Sequence, residues 1–320
     1  MKNIVLLLLF LTTIPPMAIS SENNNYSIPG AIASYSFENN ALDSSGENHG
    51  KVTKVDYKAG VVGQAASFDG KKSKIIISDK NGLPPQSITS LKKGTISVWI
   101  KFQNRGGQVL PILHLGKNST AMPSRSMIFE IGHDRGNIEN RRLYFTSIVS
   151  QGNNFCVDSG MDLEQDKWYH YVAVMNDTGS TIYLNGVEIT TRRYNLNSTS
   201  KSVSFFDDID PKEILSIGYG RYSQEEPFFS FNGLIDELLI FDRALSKEEV
   251  LELFSVAGLK MGDEELGYID EQSMIGKSPI ERSSNSKNKG NKNRQNSTQQ
   301  RSYQQNRNQN YQNRGSYRQY

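Results

Sequence analysis

The chain of 320 residues is poor in several things. It holds one cysteine, Cys156, so no intramolecular disulfide can form and disulfide-stapled small scaffolds are excluded. Its four histidines (His49, His114, His133 and His170) show no metal-ligand spacing such as HExxH. No apolar run reaches the roughly 20 residues that a membrane-spanning helix needs, which excludes a polytopic membrane protein. The 10 prolines and 26 glycines follow no period, so collagen-like order is excluded, and no repeat of 20–50 residues is found. Hydrophobic residues make up only 36% of the chain, below the roughly 45–50% of an ordinary globular domain. Part of the chain is therefore expected to lie outside any core.

The two ends account for the deficit. Lys2, the apolar run from Ile4 to Leu11, and small Ala18 and Ser20 at positions −3 and −1 of a cut after Ser20 form the layout of a secretory signal peptide. Residues 1–20 are expected to be that leader and 21–28 a short N-terminal segment, which places the mature protein outside the cell. Residues 283–320 contain no acidic and no aliphatic residue, and are expected to be a disordered, low-complexity Asn/Gln/Arg/Tyr-rich tail. From Lys277 onward there are ten basic residues and one acidic, a net of +9; with Lys2 also removed from the total of +2, residues 21–276 stand at −8. Arg301, Arg307, Arg314 and Arg318 alternate with Tyr303, Tyr311, Tyr317 and Tyr320. In the cytosol that pattern would point to single-stranded RNA. Behind a signal peptide it points instead to an anionic surface or polysaccharide, against the plain alternative of a solvated tail, and to no specific nucleic acid. Cys156 reads either as a small buried hydrophobe or as an intermolecular partner.

Between the ends, apolar residues alternate at period two. Gly94–Phe102 sets Ile96, Val98, Ile100 and Phe102 on one face, and Thr95, Ser97, Trp99 and Lys101 on the other. Further strands are expected at 31–37, 74–78, 108–115, 127–131, 143–149, 168–175, 215–219 and 233–241. Thr181–Ile189 reads as a hairpin around Asn185-Gly186, since both positions of a type I′ turn need positive φ. One helix is expected after Ser246-Lys-Glu-Glu249, a capping box, with Val250, Leu251, Leu253 and Phe254 as its apolar stripe. Residues 258–282 show no strong period and are expected to be a loosely docked linker.

Six phrases in order resemble one family. They are Ser34-Tyr-Ser-Phe-Glu-Asn-Asn-Ala-Leu-Asp-Ser-Ser-Gly46, Gly63-Gln-Ala-Ala-Ser-Phe-Asp-Gly70, Gly94–Phe102, Trp168-Tyr-His-Tyr-Val-Ala-Val174, Tyr183-Leu-Asn-Gly186 and Phe231-Asn-Gly-Leu-Ile-Asp-Glu-Leu-Leu-Ile-Phe-Asp-Arg-Ala-Leu-Ser246. Together they resemble the laminin G-like group of the concanavalin A-like lectin/glucanase superfamily. The resemblance implies an all-β jelly-roll sandwich over residues 29–257, with one short C-terminal helix and with the first and last strands side by side. It also implies a structural Ca²⁺ where those strands meet, carried by Glu38 and Asp236 with Asp43 and nearby carbonyls as helpers. The alternative is that Asp236 only bonds backbone and Glu38 is solvated.

The laminarinase-like hydrolases of that fold present Glu-x-Asp-x-(x)-Glu on a strand, and no such spacing occurs here; Glu130 stands alone on its run. Nucleophile-elbow, P-loop and dinucleotide motifs are missing as well. The expectation is therefore a secreted, non-enzymatic binding or adhesion protein that engages glycans or extracellular matrix proteins. The alternatives are a structural shell or skeletal matrix component acting through the tail, and an unusual glycoside hydrolase. Candidate ligand residues are Trp99, as an aromatic platform or else a packing residue, and the loop residues Arg125, Tyr219, Arg221 and Tyr222.

Overall fold

A computed structural model describes residues 28–281, apart from 104–108, 118–125, 135–136, 150–154, 211, 221–227, 259 and 263. The alternating pattern becomes two large sheets packed face to face, antiparallel except for one edge pair. The eight-stranded sheet runs, edge to edge, through Val187–Glu188, Gly179–Leu184, Trp168–Asn176, Gly94–Phe102, Asn232–Phe241, Gln64–Asp69 and Asp56–Ala59, with Ala31–Tyr35 as its eighth member. The nine-stranded sheet runs through Ile280–Glu281, Arg193–Asn195, Phe155–Asp158, Asn137–Ile148, Ser126–Asp134, Leu110–Gly116, Ile214–Ile217, Lys74–Ile77 and Gly50–Thr53. Among the described residues no helix is long and apolar enough to cross a membrane.

Ile96, Val98, Ile100 and Phe102 enter the core between the sheets, where they meet Leu113, Leu115, Phe129, Phe145 and Leu215 of the other sheet. Such burial supplies most of the driving force for folding. The hairpin turn forms as its residues dictate, with φ of 49° at Asn185 and 77° at Gly186.

Strand Ala31–Tyr35 pairs with Asn232–Phe241, so the first and last long strands are neighbours. The last strand is shared in an unusual way. Its first half, Asn232–Ile235, pairs with Gln64–Asp69, and its second half, Leu238–Phe241, pairs with Ala31–Tyr35 on the same side. The opposite side pairs throughout with Gly94–Phe102, interrupted by a register shift between Asp236 and Leu239. Asp236 and Glu237 therefore sit at a seam between two partner strands, and Glu237 has φ of 47°.

The helix spans Lys247–Gly258. Its box is closed in both directions: the Glu249 amide donates to Ser246 Oγ at 3.2 Å and the Ser246 amide donates to Glu249 Oε2 at 2.8 Å. Val250, Leu253 and Phe254 pack on Trp99, Trp168, Val172 and Leu239, on the outer face of the eight-stranded sheet.

The expected linker departs from a loose segment. The Trp168 amide donates to the Glu265 carbonyl and the Gly267 amide to the Trp168 carbonyl, both at 2.9 Å. Met274 is buried in the main core, and Ile280–Glu281 adds a parallel strand beside Arg193–Asn195. The segment carries no helical or strand period because it is held by scattered hydrogen bonds and by Met261, Leu266, Ile269 and Met274, which pack at irregular intervals.

Candidate functional site

The two outer faces of the sandwich differ. That of the eight-stranded sheet is closed by the helix, and Trp99 lies beneath it with no exposed surface. Its ring stacks on His170 at 5.0 Å and on Phe254 at 5.8 Å. A fully covered ring offers no platform to a sugar, so Trp99 is corrected from a candidate ligand residue to a packing residue.

The outer face of the nine-stranded sheet carries polar groups instead. Register alone lines up Ser216, His114, Ile128, Thr146, Cys156 and Asn195 across six strands. The next row holds Glu130, Tyr144, Asp158 and Arg193. These residues alternate with core residues such as Leu113, Phe129, Phe145 and Val157, so they point away from the core. Yet Ser216, His114 and Glu130 have no exposed surface, and Asp158 only 3%. Buried polar groups of this kind need partners. Asn195 Nδ2 donates to Asp158 Oδ2 at 3.0 Å, the Gly160 amide donates to Asp158 Oδ1 at 2.7 Å, and Arg142 Nε pairs with Asp162 Oδ1 at 2.8 Å. Burial nevertheless raises the Asp158 carboxyl above its ordinary range. Burial likewise pushes the Cys156 thiol up to about 11, with Asp158 and Glu130 adding to the effect, so Cys156 is an inert, buried group here.

Tyr219 sits beside this face. Its ring stacks on Phe228 at 4.5 Å and carries the Lys74 ammonium 4.8 Å from its centroid, while Phe228 meets His114 edge-on at 5.9 Å. Arg125, Arg221 and Tyr222 lie outside the described residues, as do the tail residues Arg301, Arg307, Arg314 and Arg318.

The seam at Asp236 is a second polar centre. Asp236 Oδ2 accepts the amides of Val61 at 2.8 Å and Val62 at 3.3 Å, and Oδ1 accepts that of Glu237 at 2.9 Å. Both Glu38 carboxylate oxygens face the Gln64 amide, at 3.1 and 3.2 Å. Burial pushes Asp236 up to about 8, and Glu38 adds to the rise. Burial and then the charges of Asp236 and Glu38 push Glu237 up to about 9. Asp43 does other work: Oδ1 accepts the amides of Ser34 at 2.9 Å and Ser45 at 3.0 Å, pinning its own loop to the first strand. Among the described residues no group of three or more His, Cys, Asp or Glu side chains is gathered to hold a metal ion.

His114, Thr146, Asp158, Arg193 and Asn195 escaped the sequence reading. The signal for two of this face was present: His114 between Leu113 and Leu115, and Glu130 between Phe129 and Ile131, are polar residues at the outward positions of otherwise apolar strands.

The family model described as the concanavalin A-like lectin/glucanases superfamily, of laminin G type, matches residues 69–251. The chain belongs to that superfamily. Its sandwich is similar to domain 4 of AbnA, a GH43 extracellular arabinanase from Geobacillus stearothermophilus, solved in complex with arabinotriose. The TM-score is 0.50 at 22% identity, over 70% of this chain and 98% of that one. It also aligns with the binding domain of Paraclostridial Mosquitocidal Protein 1, at a TM-score of 0.48 and 17% identity, over 71% of this chain and 52% of that one. A third is the CBM40 of Ruminococcus gnavus IT-sialidase bound to alpha2,3 sialyllactose, with a TM-score of 0.45 and 14% identity, over 64% of this chain and 98% of that one. These likenesses are likenesses of fold. No curated protein matches the chain.

Proposed function

We propose that this protein is a secreted, non-enzymatic glycan-binding module whose ligand lies across the outer face of the nine-stranded sheet. The observation that carries the reading is the asymmetry of the sandwich. One outer face is sealed by the Lys247–Gly258 helix, and the other carries rows of polar side chains from adjacent strands, of which Tyr144 and Arg193 remain part-exposed. These two residues of the second row suit sugar hydroxyls, which both give and take hydrogen bonds, while the buried Asp158 beside them is held by Asn195 and the Gly160 amide. The arabinotriose complex of the AbnA domain supports a glycan ligand by likeness of fold. The non-enzymatic part of the proposal is supported by the sequence, which has no Glu-x-Asp-x-(x)-Glu spacing.

The basic tail is proposed to add charge-driven attachment to anionic polysaccharide or matrix. A structural Ca²⁺ is proposed at the seam, with Glu38 and Asp236 as its acidic donors. Their oxygens are hard ligands, and among the described residues neither Asp236 nor Glu237 has a salt-bridge partner. When bound, the ion would neutralise Asp236, whose burial otherwise favours protonation.

A glycan array on the full chain tests the reading. Binding that persists at high salt and falls in Tyr144→Ala and Arg193→Ala variants supports the sheet face. Binding that vanishes at high salt and ignores both variants assigns attachment to the tail. Release of reducing sugar from β-glucans would overturn the non-enzymatic part.

A further inference from the structure

A cleft of about 660 Å³ opens where the 266–281 segment crosses the end of the nine-stranded sheet. That volume lies within the range of small-ligand sites. One wall is Tyr268, an aromatic ring left 73% exposed. The backbone beside it is fixed: the Gly267 amide donates to the Trp168 carbonyl at 2.9 Å, and Asn185 Nδ2 donates to the Gly267 carbonyl at 2.9 Å. Gly267 lies so close over the Tyr169 ring that a side chain at this position would strike it. The facing wall is pinned as well, by Thr190 Oγ1 on the Met274 carbonyl at 2.9 Å and by the Ile280 amide on the Arg192 carbonyl at 3.0 Å. An exposed aromatic ring on a fixed backbone loses little entropy when a flat apolar surface stacks on it.

The polar lining is mixed in sign. Arg193 and Lys277 bring donors, and Asp162, Glu164 and Asp270 bring acceptors. Cationic donors beside an excess of acidic groups around an aromatic ring fit the hydroxyls of an uncharged sugar better than an anionic one. Arg193 also pairs in register with Asp158, which places the cleft beside the second polar row of the sheet.

We propose that this cleft is a sugar subsite in which one uncharged ring of an oligosaccharide stacks on Tyr268 while Arg193, Lys277 and Asp270 hold its hydroxyls. The proposal rests on the glycan-binding reading and extends it to a second set of residues. It assigns a ligand role to the segment after the helix, and it defines where a bound chain runs off the sheet.

Calorimetric titration of the full chain with arabinotriose, cellotriose and laminaritriose, and with sialyllactose as an acidic probe, tests it. Tyr268→Ala should weaken binding of a neutral trisaccharide about tenfold, a loss of the size expected for one stacked ring. Tyr268→Phe should bind like the parent, because the stacking face is kept. Tyr268 is exposed, so neither change threatens the fold. Equal binding by Tyr268→Ala and the parent, with Tyr144→Ala still weakened, overturns the subsite and leaves the sheet-face reading standing. Binding of sialyllactose alone overturns the assignment to an uncharged sugar. No binding of any trisaccharide by the parent overturns both the subsite and the glycan reading.

Discussion

Trp99 and His170 face each other across neighbouring strands, their rings stacked 5.0 Å apart, while His170 Nε2 lies 2.9 Å from Ser97 Oγ. His170 is fully buried, and burial lowers its pKa from 6.5 to about 3. The unfolded chain therefore binds a proton that the native state refuses between those values. Stability is therefore unaffected by His170 above about pH 6.5 and falls as pH drops towards 3, by on the order of 5 kcal/mol in all. Replacing His170 with Gln should flatten the acid limb of a stability-against-pH curve. A limb equally steep in the variant, followed by urea unfolding from pH 7 to 4, would show that other groups set it.

Trp99→Ala should destabilise the fold by about 3–5 kcal/mol, because it opens a hole between the sheet and Phe254. It should leave glycan affinity unchanged in the fraction that folds. A selective loss of affinity at native stability would restore Trp99 as a ligand residue.

Ser246→Ala removes the acceptor for the Glu249 amide and should cost about 1 kcal/mol. Glu249 also makes two hydrogen bonds to Arg243, at 2.9 and 2.7 Å, so Glu249→Ala should cost more than Ser246→Ala. Chemical denaturation of the two variants gives the order directly.

Gly63 has φ of 57°, and a side chain there would collide with the Glu38 carboxylate. Gly63→Ala should lower stability by about 1–3 kcal/mol. If calcium occupies the seam, the same variant should also weaken it, measured as a smaller rise in melting temperature on adding the ion.

Excess chelator should lower the melting temperature of the parent, and Asp236→Asn should abolish that response. A melting temperature indifferent to chelator removes calcium from the seam and leaves Asp236 as a buried acceptor for the Val61, Val62 and Glu237 amides.

Strand alternation, the Asn185-Gly186 turn, the capping box and the pairing of first and last strands could all be read from the chain, because each rests on neighbours in sequence or on phrases kept in order. Short strands such as Phe155–Asp158 and Arg193–Asn195 could not, since three or four residues carry too little pattern. The polar rows were equally hidden. Ser216, His114, Thr146, Cys156 and Asn195 become neighbours only through register across strands distant in sequence. Trp99 shows the same limit from the other side: sequence placed it opposite the core face, and only the docked helix decided that this second face is closed as well. The sequence by itself determined the sheets, their inward faces and the superfamily, because period and local turn chemistry are properties of short segments. The tertiary structure alone decided which outer face stays polar, which carboxylates share the seam and where Tyr268 stands, because each depends on segments brought together by packing.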